Sequence, residues 1–377
     1  MVMRIYGQSE AEVVKYEVEK LRCSSCLEIF TANTEDIGAE KYDDHFKAII
    51  ATRKYFAGMP LYRQEQYFAM QGVPLSDSKQ WELIEEVADA SYPIFLSLER
   101  FAANGKVVYQ DDTKYKILRL VKQNINDKSG VYTTNLTVET GDNTITLYYT
   151  QNKHAGENLE ELLKKRTIKD VIIKMSDALN SNNVKANTIE CNCLAHARRK
   201  FIEIEQYWPE EVSHIIHILQ IIYKNEDMVK KKKMSADERL LYHQTNSSSA
   251  MQELKQYLEN LIYNSNIEPN GALGQAVKYS LNHWEKLTKF LSVSSAPIDN
   301  NEAERSLKIP IRTRKNSLFY RNLHGAFIGS MLMSIIATCL TAGVNAIKYL
   351  TEVQKNKGKV RMNPDLWLPW NYNLMVT

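Results

Sequence analysis

The feature that most restricts the fold is a change of period near residue 106. Over residues 41–100 apolar side chains recur at helical spacing. Residues 106–120, 130–139 and 144–151 are instead rich in Val, Thr, Tyr and Ile. Turn formers at 124–129 and 140–143 separate these runs, which predicts three sequential strands. A helical stretch over 157–165 and a short apolar run over 170–175 follow. Three strands, a helix and a further strand suit a mixed sheet in an α/β core. Beyond Ala195 strand signals stop. Residues from His196 to about Phe290 read as helical, with a charged loop at Lys230-Lys231-Lys232-Lys233 and a polar one at 245–249. The lysine run is most simply a solvated surface.

At 377 residues the chain is too long for one small core. The reading divides it into a partial CxxC segment (1–38), a helical N-terminal region (39–104), the first part of the α/β core (105–200) and an all-helical insertion (201–295). The last part of the core (296–350) and a C-terminal tail (351–377) complete it. In the N-terminal region, Gly72 and the cap residue Ser76 join two helices. That outline fits a helix-turn-helix or a plain helical hairpin. Glu82, Glu85, Glu86 and Asp89 on the second helix would repel phosphate, which favours the hairpin.

Net charge is +3, from 48 basic and 45 acidic residues, so the distribution of charge matters more than its sum. Five cysteines without a regular framework argue against a secreted disulfide scaffold. The first residues lack the apolar core of a signal peptide. The uncharged stretch 325–347 carries Ser330, Ser334, Thr338 and Thr341, and reads as a buried core helix, not a membrane span. A cytoplasmic protein is expected.

Three acidic positions carry the chemistry. Asp111-Asp112 follows one strand-like run, Asp177 another, and Glu304 opens a basic helical segment. Asp111 and Asp177 are 66 residues apart (177 − 111), and Glu304 lies 127 further on (304 − 177). A ribonuclease H-like core has this strand order, and its first and fourth strands end in metal-binding aspartates. Hard oxygen donors suit Mg²⁺ or Mn²⁺. Such ions can activate the attacking oxygen and stabilise the leaving one in phosphodiester chemistry. Asp111 and Asp112 point to opposite faces of a strand, and the sequence leaves open which one meets metal. Asp299-Asn300 is expected to cap a single helix running through Arg305, Lys308, Arg312, Arg314 and Lys315, whose basic face would follow a DNA backbone. Cys23-Ser24-Ser25-Cys26 is half of a zinc site, so Zn²⁺ there needs further ligands. Cys191, Cys193 and His196 also suggest metal, but read first as structural, with the cysteines on a short strand and His196 leading the next helix; His154 reads as a helix-opening residue.

Asp299-Asn300-Asn301-Glu302-Ala303-Glu304-Arg305, followed by Arg314-Lys315-Asn316-Ser317-Leu318-Phe319, resembles the C-terminal signature of transposases of the insertion-sequence family numbered sixty-six. Cys193-Leu194-Ala195-His196-Ala197-Arg198-Arg199-Lys200-Phe201 is similar to a further block of that family, as are Pro60-Leu61-Tyr62-Arg63 and Gln71-Gly72-Val73-Pro74-Leu75-Ser76. The resemblance runs from about Cys23 to Trp370. It implies a bacterial DDE transposase with Asp111, Asp177 and Glu304 as metal-binding catalytic residues and Asp112 as the alternative first ligand. It also implies His196 and Arg199 near the catalytic centre and in contact with DNA. Element ends and target DNA would be the partners, held by a homo-oligomer. Family members ordinarily begin with a further region and carry a pair of CxxC motifs. The resemblance therefore implies a shortened copy or an upstream start. Two alternatives stand beside this reading: a nuclease of the same fold without strand transfer, and an inactive DNA-binding remnant.

Overall fold

The computed structural model describes residues 10–32, 40–123, 131–263 and 267–375. The expected N-terminal start and the turn at 124–129 lie outside the described residues. Near the N-terminus, β1 (Lys20–Arg22) and β2 (Ile29–Thr31) form an antiparallel hairpin. Three helices follow: α1 (Asp44–Tyr55), α2 (Leu61–Met70) and α3 (Asp77–Ala103). Ser76 caps α3 by accepting a hydrogen bond from the Lys79 amide at 3.2 Å. The turn before it passes through Gly72 at φ +74°, a conformation that glycine adopts without strain.

A five-stranded sheet then forms from β3 (Val107–Tyr115), β4 (Val131–Thr140), β5 (Asn143–Gln151), β6 (Ile172–Ser176) and β7 (Thr188–Asn192). Its order is β5-β4-β3-β6-β7. The β5–β4 and β4–β3 pairs are antiparallel, and the β3–β6 and β6–β7 pairs are parallel. Helix α4 (Leu118–Gln123) follows β3, and α5 (Ala155–Leu163) joins β5 to β6. The sheet is mixed, as expected, but β3 is shorter than the 106–120 run. Ile117 bridges to Tyr320, and the Leu118 amide donates to the Tyr320 carbonyl at 2.9 Å. These bonds draw the chain off the sheet, so residues 118–120 are helical. Asp111 and Asp112 are also inside β3 and not at its end, because β4 pairs with β3 through Tyr115.

Beyond β7 come α6 (Leu194–Ile202), α7 (Pro209–Lys231), α8 (Ala236–Asn246), α9 (Ser248–Tyr263), α10 (Ala272–Asn282) and the short α11 (Trp284–Leu287). Leu219, Leu254, Val277 and their neighbours give these helices a hydrophobic core of their own. The chain returns to the sheet with α12 (Asn301–Ser306) and α13 (Lys308–Ser317). A single helix was expected here. Pro310 has no N–H to donate to the carbonyl of Ser306, four residues back. The buried Tyr148 hydroxyl takes that carbonyl instead, at 2.6 Å. The helix breaks at Leu307, and the basic residues are divided between two short helices.

Helices α14 (Leu323–Thr341), α15 (Ala346–Lys355) and α16 (Lys357–Met362) close the main core against α1 and α3. Among the described residues α14 is the one helix long and apolar enough to cross a membrane, and 78% of its most apolar window is buried inside the protein. Its hydroxyls explain its place. Ser330, Ser334 and Thr338 accept hydrogen bonds from the amides of Thr150, Tyr148 and Thr146 at 3.0, 2.8 and 3.2 Å. Four helical residues rise about 6 Å, and two strand residues about 6.8 Å. One helix stripe therefore matches every second amide of the edge strand β5, and it satisfies an edge that would otherwise offer itself to another chain. Ser334→Ala is expected to leave the Tyr148 amide unpaired and to destabilise the fold by about 1–3 kcal/mol. Urea unfolding reads this as a lower midpoint, and an unchanged midpoint would refute the edge-capping role.

Candidate active site

Strand alternation decides which face each aspartate takes. Val107, Tyr109, Ile173 and Met175 pack with Cys191, Cys193 and Ala303 in a small cluster between the sheet and α12. Asp111 continues the 107–109 series and Asp177 the 173–175 series. Tyr109 pairs with Met175 in the parallel register, so two residues further on Asp111 and Asp177 come level. Asp111 lies within electrostatic reach of Glu304 on α12, while Asp177, just past the end of β6, turns its carboxylate to the Leu179 amide and Asn182.

Asp112 points the other way. Its carboxylate accepts from the Thr134 hydroxyl at 2.6 Å and from the Ala155 amide at 2.9 Å, and lies 3.4 Å from His154 Nδ1. It serves the N-terminus of α5, where negative charge is favourable. His154 stands at that helix start, its amide donating to Glu157 at 2.9 Å.

Burial pushes the Asp111 carboxyl up to about 7, against a hydrogen bond from the Asp112 amide, and repulsion from Asp177, Asp112 and Glu304 adds to the rise. Asp177 accepts from the Leu179 amide at 3.2 Å and from the Asn182 side chain. Glu304 lies between a guanidinium and an imidazole: its Oε2 is 3.6 Å from Arg199 Nη2, and its Oε1 is 3.7 Å from His196 Nε2. That Oε1 is shut off from water and has no hydrogen-bond partner.

Two buried asparagines hold α12 in place, and sequence reasoning missed their role. Asn300 donates from its side chain to the Gln110 carbonyl at 3.0 Å, tying the start of α12 to the residue before Asp111. Its amide donates to Cys193 Sγ at 3.2 Å. Asn135 sits opposite Asp111 in the antiparallel register and donates to the Ala303 carbonyl at 3.1 Å. The available signal was an Asn inside a run of Val, Thr and Leu, where only a buried partner justifies the amide. Asn300 is the N-cap residue of α12, but it makes no side-chain capping bond. Asp299 accepts from the Asn301 amide at 3.2 Å.

The basic residues do not form one face. Lys308 and Lys315 are exposed, as is Arg305, which pairs with Glu302. Arg312 bonds the Phe56 carbonyl and lies 5.0 Å over the Phe56 ring. Arg314 donates to Thr113 Oγ1 at 2.8 Å and to the Lys114 carbonyl. Arg312 and Arg314 thus fasten α13 to the core. His196 and Arg199 stand beside Glu304 on α6.

Cys23 and Cys26 occupy the β1–β2 turn, where the Leu27 amide donates to the Cys23 carbonyl at 2.9 Å. Both are free thiols. The backbone amide of Cys26 holds the Cys23 thiol below its usual value. Among the described residues, the one group of three His, Cys or acidic donors within 4.8 Å lies elsewhere: Cys193, His196 and Glu304.

Residues 41–327 match the family model described as the transposase IS66 family. An uncharacterized protein of Sinorhizobium fredii, y4jD, is 28% identical over 343 residues, covering 86% of this chain and 65% of its own length. Another from that organism, y4hP, is 23% identical over 326 residues, covering 81% of this chain and 58% of its own length. The chain thus spans under two thirds of the length of these curated relatives.

Proposed function

This chain belongs to the transposase IS66 family, and from that premise we propose that it is a DNA transposase whose centre is Asp111, Asp177 and Glu304. The observation that supports this reading is the buried Asp111 carboxyl, raised to about 7 by burial, with the charges of Asp177, Asp112 and Glu304 adding to the rise. A buried carboxylate beside like charges is a reason for a divalent cation to bind. All three side chains offer hard oxygen donors, which suits Mg²⁺ or Mn²⁺. When bound, two such ions supply a Lewis acid for each side of an in-line displacement.

The chain's own residues do the rest. Asp111 presents its oxygens from β3 and Asp177 from just past the end of the parallel β6, and Asn300 and Asn135 hold α12, which carries Glu304. Water attacks the phosphorus at an element end, the bond to the 3′ oxygen breaks, and a 3′ hydroxyl is released. That hydroxyl then attacks a target phosphodiester and joins to it, expelling the target's own 3′ oxygen. Arg199, Arg305, Lys308 and Lys315 neutralise phosphates on either side. His196 has its role beside Glu304. Arg312 and Arg314 position α13 and contact DNA only from their exposed edges. Asp112 organises α5, which makes Asp111 the better first ligand. A homo-oligomer in the cytoplasm, holding paired element ends, completes the proposal.

The strand order and the parallel pairing of β3 with β6 support a ribonuclease H-like core over 105–200 and 296–350. The separate hydrophobic core of α6–α10 supports an all-helical insertion over 201–295. The remaining proposed units are 1–38, 39–104 and 351–377.

The test uses duplex DNA carrying the ends of the encoding element, a target plasmid and Mg²⁺. Glu304→Gln is expected to reduce cleavage about a thousandfold, a barrier increase near 4 kcal/mol. Unchanged cleavage removes Glu304 from the mechanism. Cleavage without plasmid joining favours a nuclease, and binding without cleavage under any divalent ion favours a DNA-binding remnant.

A further inference from the structure

Beside Glu304 stand two donors that the hydrolytic centre does not use. Cys193 follows β7, with its amide bonded to the Ser176 carbonyl at 3.0 Å, and His196 lies three residues on in the first turn of α6. Their donor atoms and a Glu304 oxygen all lie within 4.8 Å of one another. Arg199 faces Glu304 Oε2 and leaves Oε1 turned toward His196. The 3.7 Å between Oε1 and His196 Nε2 is too long for a hydrogen bond. Glu304 Oε1 and His196 Nδ1 are both buried without a partner. Native proteins rarely leave two such atoms in facing side chains.

We infer that Cys193, His196 and Glu304 form a binding site for a borderline divalent ion of the Zn²⁺ class. One thiolate, one imidazole and one carboxylate suit such an ion better than Mg²⁺. Three protein donors leave a fourth tetrahedral position for water or substrate. Ligands of a tetrahedral zinc ion stand about 3.3–3.7 Å apart, so small side-chain rotations close the present spacing. Burial pushes the Cys193 thiol up to about 11, and the Asn300 amide, 3.2 Å from Sγ, works against that rise. Binding displaces the thiol proton to solvent, so affinity rises with pH. The site rests on the proposed function only in sharing Glu304. An ion held here draws Oε1 away from Asp111 and Asp177, and so opposes Mg²⁺-supported cleavage.

The experiment titrates Co²⁺ into full-length protein carrying Cys23→Ser and Cys26→Ser, which removes the exposed thiols. A near-ultraviolet thiolate-to-cobalt band, displaced by Zn²⁺, is expected. Asp111→Asn is expected to keep it. Cys193→Ala and His196→Ala should each weaken Zn²⁺ binding by more than about 100-fold, beyond the loss that an outer-shell partner causes. His196→Ala decides the matter if the buried cysteine variant does not fold. No band, or a band that survives both substitutions, overturns the site. If Glu304-dependent cleavage persists in protein lacking the band, the site falls and the proposed function stands. If the band is present and cleavage is indifferent to Glu304→Gln, the site stands and the proposed centre falls.

Discussion

Asp111→Asn is expected to remove Mg²⁺-dependent cleavage of element ends, by about a thousandfold or more, while making the metal-free protein more stable. The two effects have one cause. Burial and the nearby carboxylates raise the Asp111 carboxyl from 3.8 to about 7. The folded state therefore holds this proton more tightly than the unfolded chain does. The stability that Asp111 contributes is present below about pH 4 and is lost as pH rises through about 7. A shift of about three units corresponds to at most about 4 kcal/mol. Solvent screening reduces this to about 1–3 kcal/mol. Asn cannot ionise, so the variant's advantage should be near zero at pH 4 and full at pH 8. Added Mg²⁺ should raise the wild-type melting temperature at pH 8 and leave that of the variant nearly unchanged. A variant that loses cleavage and stability together at pH 8 would mean that Asp111 serves the fold and not an ion.

Much of the sheet that carries the candidate site was legible because its signals are local. Period-two alternation gave the mixed sheet, with Asp111 on one of its strands and Asp177 just past the end of another. What escaped was set by partners remote in the chain. The extent of β3 depends on β4 and on the Ile117–Tyr320 bridge, neither of which the 106–120 run can report. The choice between Asp111 and Asp112 needed the Asp112 contacts with Thr134 and Ala155. The basic segment read as one helix because its charges recur at helical spacing. Pro310 was in plain view, but its effect depended on Tyr148 standing ready to take the Ser306 carbonyl. Arg312 and Arg314 looked like DNA contacts because sequence cannot say which way a guanidinium turns. The hydroxyl stripe of α14 was legible as evidence against a membrane span. Its use as the cap of an edge strand was not.

The second large effect is expected far from the carboxylates, at Glu226. This residue of α7 is almost buried, yet it gathers two cations and an imidazole: Arg239 Nε at 3.0 Å, Lys230 Nζ at 3.6 Å and His243 Nε2 at 2.9 Å. Burial works against its charge, but the His243 hydrogen bond and the Arg239 charge prevail and bring the carboxyl down to about 2. His243 Nδ1 in turn faces Ser247 Oγ at 2.9 Å. Glu226→Ala leaves a guanidinium and an imidazole buried without their acceptor, at a cost of about 3–5 kcal/mol. The wild-type contribution is present above about pH 4.5 and is lost as pH falls toward 2, so the gap between the two proteins should narrow in acid. The damage should also reach the proposed centre. Arg239 Nη1 donates to the Ala296 carbonyl at 2.6 Å, three residues before Asp299, and Ser294 bonds Asp237 on α8 at 2.6 Å. These bonds anchor the segment that leads into α12, so releasing them loosens Glu304. Glu226→Ala should therefore lower stability and cleavage together at pH 8, the opposite pairing to Asp111→Asn. A stability loss below about 1 kcal/mol in urea at pH 8 would show that the network is only an exposed ion cluster of the usual small value.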